Sequence, residues 1–279
     1  MTGLTNLIEK LMCMRYELLR AIESFPPLPE SITELNRLCS FEDIDLKGVI
    51  RIIESDPLLY ADILRFSNVP HYGFRNPITS VTHAIALFGI AAIRGMALTA
   101  ALKAHPFRDV SAYGITTDAW FAVMEKQQIF INFWLSKKHR HLLQSLGGLP
   151  FILEIGRLIA AYVMHETQTE HRFESTDPFE LTAEECSVIG ESGDNLALEL
   201  FRHWRFDASF IDSLEHSLHP DNGAEPRMCA ALQCARTLFT LKETRPFDTV
   251  RPLLETYGFD SDDAQIAYDM VSLNLRRAD

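Results

Sequence analysis

The residue types that could do chemistry are few in this chain, and their spacing is mostly wrong for it. His165-Glu166 with His171 offers imidazole and carboxylate close together. The H-E-x-x-H pattern, however, needs both histidines on one helical face, and this spacing does not supply it. Asp212, His216 and His219 stand four and three residues apart, so a helix would set them on one side. Such a trio suits a surface metal ion. More often it is a solvated helix end, and Pro220 directly after His219 supports the helix end. Gly190-Glu191-Ser192-Gly193 is one residue short of a G-x-S-x-G nucleophile elbow. Neither a P-loop nor G-x-G-x-x-G occurs. The five cysteines, Cys13, Cys39, Cys186, Cys229 and Cys234, are odd in number and form no C-x-x-C pair. They indicate neither a zinc knuckle nor a disulfide framework, and reduced thiols in a cytoplasm are the simplest reading. No catalytic residue, metal ligand or cofactor is assigned from these patterns.

Two segments have the chemistry of an interaction surface. Lys137-Lys138-His139-Arg140-His141 is the one dense basic cluster. It suits a phosphate-bearing ligand or an acidic partner. It also suits the end of a long helix, where cations complement the dipole. The turn-rich connection from Asn68 to Pro77 carries His71, Tyr72, Phe74 and Arg75, residue types that make interface contacts. Alternatively, Tyr72 and Phe74 tuck inward and pin that loop between two lobes. The candidate surface is therefore His71, Tyr72, Phe74, Arg75, Lys137, Lys138 and Arg140.

The elements that must position these residues read as helices throughout. Leu4, Leu7, Ile8, Leu11, Leu18 and Ile22 share one face of a first helix, which Phe25-Pro26-Pro27-Leu28-Pro29 ends. Ile32, Leu35 and Leu38 mark a second. Asp45 caps Leu46 to Glu54, and Asp56-Pro57 is a sharper start for the next helix. Ser80 caps a helix that Gly89 separates from Ile90 to Lys103. The polar stretch from His105 to Thr117 is the expected seam between two halves. Asp118 to Ser136 is a long helix, Gly147-Gly148 a break, and Phe151 to Met164 a further helix. Thr182-Ala183-Glu184-Glu185 reads as a capping box. Helices follow near 194–204, 207–217, 224–242, 246–257 and 261–276. No segment alternates long enough to require a sheet, so the expected fold is all-α, a two-lobed helical bundle with units at 1–115 and 116–279.

Composition bounds the function classes. The chain has 279 residues, 47% hydrophobic and 23% charged, which excludes disorder and fibrous classes. Lys and Arg total 26 against 38 Asp and Glu, a net charge of −12 that repels a phosphate backbone over most of the surface. No nucleic-acid partner is expected. Arg94 interrupts the most apolar stretch, Ala84 to Ala101, so no membrane span is expected either.

The punctuation along the first half is similar to a known family. Phe25-Pro26-Pro27-Leu28-Pro29, Asp56-Pro57-Leu58, Ile63-Leu64-Arg65-Phe66-Ser67-Asn68, Tyr72-Gly73, Pro77-Ile78, Ser80, Ala84-Ile85 and Leu87-Phe88-Gly89 occur in order. This set resembles the HDOD domain, the HD-related output domain of bacterial signalling proteins. Val69 departs from it, since the family more often has Ser there. Trp120, Gly156-Arg157-Leu158, Glu185, Gly190 and Trp204 extend the resemblance across about residues 20 to 240. It implies a helical protein with an HD-like second lobe, usually non-enzymatic, acting as a signal output or adaptor in a bacterial cytoplasm.

HD-type phosphohydrolases hold divalent metal on a His, a His-Asp pair and a distant Asp, and the ion lowers the pKa of a bound water. The register implied by the resemblance puts Leu153-Glu154 at the pair, Ala122 at the leading His, Gly193 at the downstream His and Arg236 at the last Asp. His216 stands where many members have a His pair, with Ser217 in its second place. Leu, Ala and Gly offer no ligand, and Arg236 repels a cation. Glu154 alone keeps a ligand oxygen, either as a relic or as a buried carboxylate paired with Arg157. The implied function is a non-catalytic module acting through a protein partner. The alternatives are a divergent metal-dependent phosphohydrolase and a sensor of a nucleotide or cyclic dinucleotide.

Overall fold

Short polar side chains start many of the helices, and proline often follows them. In the computed structural model, residues 14–23, 25, 27–39, 44–72, 74–104, 109–146, 148–206 and 208–275 are described. Helix α1 covers 14–23 and buries Met14, Leu18, Ala21 and Ile22. Leu4, Leu7, Ile8 and Leu11 of the expected stripe lie outside the described residues, as do Pro26, Gly73, Gly147 and 105–108 of the expected seam. Helix α2 is Glu30–Cys39. Helix α3, Leu46–Ser55, starts where Asp45 accepts the Gly48 amide at 2.9 Å. Helix α4, Pro57–Ser67, starts where Asp56 accepts the amides of Leu58 and Leu59, each at 3.1 Å. A side-chain acceptor at this position satisfies amides that have no partner inside the helix.

Asn68 closes α4 and then clamps the loop that follows. Its Nδ2 donates to the carbonyls of Leu64 and Ile78, both at 2.8 Å, and its Oδ1 accepts the Ile78 amide at 2.7 Å. Ser80 caps α5, Val81–Phe88. Gly89, at φ +81°, then turns the chain by 117° into α6, Ile90–Ala104. This conformation is one a residue with a side chain rarely adopts. The bend and the burial of α6 account for the long apolar stretch as core. Among the described residues no single helix is long and apolar enough to cross a membrane.

In the second half, α7 is Thr117–Lys138, capped by Thr116, and α8 is Arg140–Leu146. A 3-10 turn, Leu149–Phe151, leads to α9, Ile155–Glu166. Then come α10, Pro178–Ile189, α11, Gly193–His203, α12, Ala208–Glu215, α13, Pro226–Leu238, α14, Arg251–Thr256, and α15, Ser261–Leu275. The capping-box reading of Thr182 to Glu185 is corrected here. Asp177-Pro178 starts α10, with Asp177 accepting the Phe179 and Glu180 amides, and Thr182 and Glu185 lie inside the helix. An aspartate cap with proline after it is the stronger start signal. Helix α13 also stops short of the expected boundary, because Phe239 pairs across a turn with Thr244.

No strand forms among the described residues, so the chain is all-α. One continuous apolar core runs from Met14 to Val271. Within it α9 and α11 pack against each other very closely. A Cβ on Gly156 would stand 1.7 Å from the Gly193 carbonyl oxygen. That contact fixes where the N-termini of the two helices meet, and those N-termini carry the charged residues of the second half.

Candidate functional site: a buried ion cluster

A charged residue in an apolar helix needs a partner or stays out of the core. Arg157 sits in the apolar run of α9 and Arg236 in that of α13, and both are almost completely buried. Their partners converge from different elements. Glu154 stands at the N-cap of α9 and pairs with Nη1 of Arg157. Nε of Arg157 lies 2.9 Å from Oε1 of Glu185 on α10, and its Nη1 lies 3.4 Å from Oδ1 of Asp194 on α11. Arg236 donates from Nη2 to the same Asp194 oxygen at 2.6 Å and from Nη1 to the Ser217 hydroxyl at 3.0 Å. Its Nε lies 3.4 Å from Glu154 Oε1.

Neutral donors complete the cluster. The Tyr113 hydroxyl donates to Glu185 Oε1 at 3.0 Å, and the Gly193 amide donates to Glu185 Oε2 at 2.8 Å. The Thr182 hydroxyl lies 3.2 Å from Asp194 Oδ2. Asp194 also sits in the first turn of α11, where a negative charge complements the helix dipole. Three carboxylates therefore share two guanidinium groups.

The acid–base consequences follow from this arrangement. Burial pushes the Glu185 carboxyl up, against the pull of Arg157, and the neighbouring Asp194 charge adds to the rise. Burial acts on Asp194 in the same sense, but Arg236 and Arg157 outweigh it and hold that carboxyl below its ordinary value. Burial opposes the charge on Arg157, yet Glu154, Glu185 and Asp194 together keep it firmly protonated. Burial, then Glu185, raises the Tyr113 phenol. Glu185, which faces Arg157 alone, is thus raised, whereas Asp194, which faces both arginines, is lowered.

Glu154, Gly193 and Arg236 from the expected register meet in this cluster. Leu153 is buried beside it in sequence, and Ser217 is the acceptor for Arg236. Ala122 does not join them. It lines a surface depression with Asp62, Arg65, Lys103, Phe121 and Glu125. Of the two readings of Glu154, the structure has the carboxylate paired with Arg157. Sequence reading missed Asp194, Tyr113 and Thr182 as members and took Glu185 for a cap. A usable signal was present: two arginines inside apolar helical runs must find acids, and Glu185 and Asp194 both fall at helical positions otherwise apolar.

The other candidate residues are placed as follows. Tyr72 is buried, 4.7 Å from the Phe88 ring, while Phe74 stays exposed against both rings. The inward-tucking reading thus holds for Tyr72 and not for Phe74. Arg75, Lys137 and Arg140 are exposed. Lys138 is bound by Asp260 at 2.7 Å and Asp263 at 2.6 Å. The His71 side chain lies outside the described residues. Asp212 pairs with His216 at 3.2 Å and caps Ala224, while the His219 ring packs on Phe179. His171 pairs with Glu184 instead of with His165. Among the described residues no three His, Cys, Asp or Glu side chains group to hold an ion.

The chain is all-helical, with this cluster buried among the helices of its second half. The sequence matches the HDOD domain over residues 25–220, and the chain belongs to that family. An HDOD domain protein of unknown function from Geobacter sulfurreducens superposes with a TM-score of 0.61, at 14% identity over 97% of each chain. A Shewanella amazonensis protein proposed to be a metal-dependent phosphohydrolase gives 0.61 at 14% identity, covering 96% of this chain and 99% of that one. A proposed signal transduction protein from Marinobacter aquaeolei gives 0.58 at 17%, covering 94% and 66%. No curated protein sequence matches significantly.

The HD-type enzymes of this fold imply a divalent ion, and the residues here do not fit one. The space between Glu154, Asp194 and Glu185 is taken by guanidinium groups, which already supply the positive charge those carboxylates need. A histidine at position 193 has no room either, because a Cβ there would stand 2.6 Å from Arg157 Cγ. Gly193 and Arg157 are therefore coupled: the arginine requires the glycine.

Proposed function

We propose that this chain is a non-catalytic signal-transduction module of the HDOD type that acts through a protein partner. One observation carries the reading. Arg157 and Arg236 fill the space among Glu154, Glu185 and Asp194, in a cluster that includes Glu154, Gly193 and Arg236 from the ligand positions the resemblance implies. A fixed guanidinium neutralises those carboxylates but cannot lower the pKa of a water for attack on a phosphoester. The cluster then serves as a joint between α9, α10, α11 and α13, and the output of the module lies on its surface. The HDOD family match supports a signalling role, and the arginines, not the comparisons, favour the non-catalytic reading.

The test is turnover. The purified chain is assayed against nucleotides, cyclic dinucleotides and a generic phosphoester, with Mn, Mg, Fe and Ni each supplied. The reading expects flat progress curves with every metal. Metal-dependent phosphate release that Glu154→Gln and Asp194→Asn abolish would establish the divergent phosphohydrolase instead. A thermal shift with one nucleotide and no turnover would establish the ligand sensor, because a ligand that binds only the folded state raises the melting temperature.

A further inference from the structure

Aromatic rings gather around an open hollow away from the ion cluster. Tyr72, Phe74, Leu87, Phe88, Phe133 and Leu143 line a space of about 180 Å³ between α5, α7 and α8. Tyr72 is the hub. Its ring centroid lies 4.7 Å from that of Phe88, 5.9 Å from Phe74 and 6.3 Å from Phe133, and Phe74 and Phe88 stand 5.8 Å apart. The ring planes meet at angles from 29° to 82°, so the four rings do not stack into one filled layer. Tyr72 and Phe88 are buried, Phe133 is half-buried, and Phe74 and Leu87 are both 43% exposed. The hollow thus has a closed floor and an open mouth, and contiguous apolar surface of this kind marks a contact site more often than scattered single residues do.

The polar groups of the lining are few and engaged. Besides the Tyr72 phenol they are Asn132 and Ser136, and none of the described residues that line the hollow is charged. Asn132 Oδ1 accepts from Gln128 Nε2 at 3.0 Å, and the Ser136 hydroxyl donates to the Phe133 carbonyl at 3.1 Å. Neither Arg75 nor Arg140 lines the hollow, and Lys137 stands in an adjoining one beside Asp263. Burial, then the Glu125 carboxylate, raises the Tyr72 phenol, so the hub ring lies in the field of an acid. A guest here is therefore held by rings and methyl groups, not by ion pairs. The face of an aromatic ring carries partial negative charge and attracts a cation that can shed its water. The net charge of −12 favours a cation over an anion at longer range.

We propose that Tyr72, Phe74, Phe88 and Phe133 form an aromatic cage for the trimethylammonium head of a small solute. The inference goes beyond the signalling reading by giving the module a ligand, and it does not depend on that reading. The volume is below the roughly 300–1,000 Å³ of sites for drug-sized molecules, so the head enters and a short tail stays in water. Its methyl groups bury against Leu87 and Leu143 while its charge meets the rings. A neutral guest of the same shape is the poorer match, because it gains nothing from the rings' charge distribution. A bare ammonium is poorer too, since the apolar wall would leave its N–H groups without acceptors. A basic peptide carrying a methylated lysine would meet Lys137 in the adjoining hollow.

The test is isothermal titration of the full chain with tetramethylammonium, choline and betaine. The comparison ligand is the neutral isostere of choline, in which a tert-butyl group replaces the trimethylammonium. The proposal expects saturable binding of at least one of the three cationic heads at one site per chain. For choline, the neutral isostere should bind about tenfold or more weakly. Phe74→Leu and Phe133→Leu should each weaken the cation by about tenfold, whereas Phe74→Trp, which keeps a ring, should hold its affinity. Phe179→Leu, at an exposed phenylalanine elsewhere, should leave it unchanged. Phe74 is exposed, so its variants should fold, and melting curves check that. No saturable binding, equal binding of choline and its neutral isostere, or binding indifferent to Phe74→Leu and Phe133→Leu would overturn the proposal. Binding of a trimethyl-lysine peptide or of phosphatidylcholine vesicles without binding of any free head would also overturn it, by assigning the hollow to a protein or a lipid surface. Turnover in the phosphoester assay would sink the signalling reading and leave the cage standing, whereas failed titration without turnover would sink the cage alone.

Discussion

Replacing Arg157 by Met removes the cation that three carboxylates share. Arg157 stands 2.9 Å from Glu185 and 3.4 Å from Asp194, and it pairs with Glu154. At an effective dielectric of about 20, unit charges about 4 Å apart attract by about 4 kcal/mol. Part of that attraction offsets desolvation, and removing one partner of a buried pair costs about 3–5 kcal/mol because the other is left buried and unpaired. Arg157→Met should therefore lose about 3–5 kcal/mol at pH 7.5, a large share of the roughly 5–15 kcal/mol of a typical fold. The loss must depend on pH. Glu185 already has a raised carboxyl pKa, and removing Arg157 raises it further. A group with a raised folded pKa stabilises fully below its unfolded value, and that stability is lost as pH rises through the folded value. The deficit against the parent should hence shrink as pH falls from 7.5 toward about 4.5, where the unfolded carboxylate also takes its proton. Urea titrations at several pH values measure this, read by far-UV circular dichroism. Arg157→Lys, which keeps the charge but loses the fork, should fall between parent and Met and gives a folded comparison. A loss below about 1 kcal/mol, flat with pH, would refute the reasoning, since the pairs would then be worth no more than surface ones.

Other predictions follow the same geometry. Gly156→Ala drives a methyl into the Gly193 carbonyl and should cost about 1–3 kcal/mol or more, read by urea titration. Asp56→Ala removes the acceptor for two α4 amides and should cost about 1 kcal/mol, with Asp56→Asn largely tolerated. Burial opposes ionisation of Glu184, but bonds from Ser175, His171 and Glu174 pull its pKa down to about 2. A lowered group stabilises above its unfolded value, and that stability is lost as pH falls, so Glu184→Gln should flatten the stability profile between about pH 4.5 and 2. Cys229 is pushed up to about 11 by burial and then by Asp212, and should resist iodoacetamide at pH 8 in the native state, while the exposed Cys186 reacts first.

Local signals in the sequence placed most of the helices, because caps act over three or four residues. Asp45, Asp56, Ser80 and Gly89 fall where the helices begin or turn. The same locality explains the errors. Thr182 and Glu185 have capping-box spacing, yet Asp177-Pro178 starts the helix one turn earlier and frees Glu185 to face Arg157. By local spacing the ion cluster was legible only at Glu154 and Arg157, three residues apart, while the family resemblance singled out Gly193 and Arg236 without their partners. Asp194, Arg236 and Tyr113 meet them across long chain separations, so helical periodicity marks Asp194 as an acid on an apolar face but does not say which arginine it meets. The split between buried Tyr72 and exposed Phe74 depends likewise on α5 and α7, which form the wall behind the loop.

Anomalous diffraction from crystals soaked in manganese tests the central claim most directly. The account predicts both guanidinium groups in place and no anomalous peak in the space bounded by Glu154, Glu185 and Asp194. A strong peak there, with Arg157 or Arg236 swung aside, would contradict it and return the chain to the metal-dependent hydrolases.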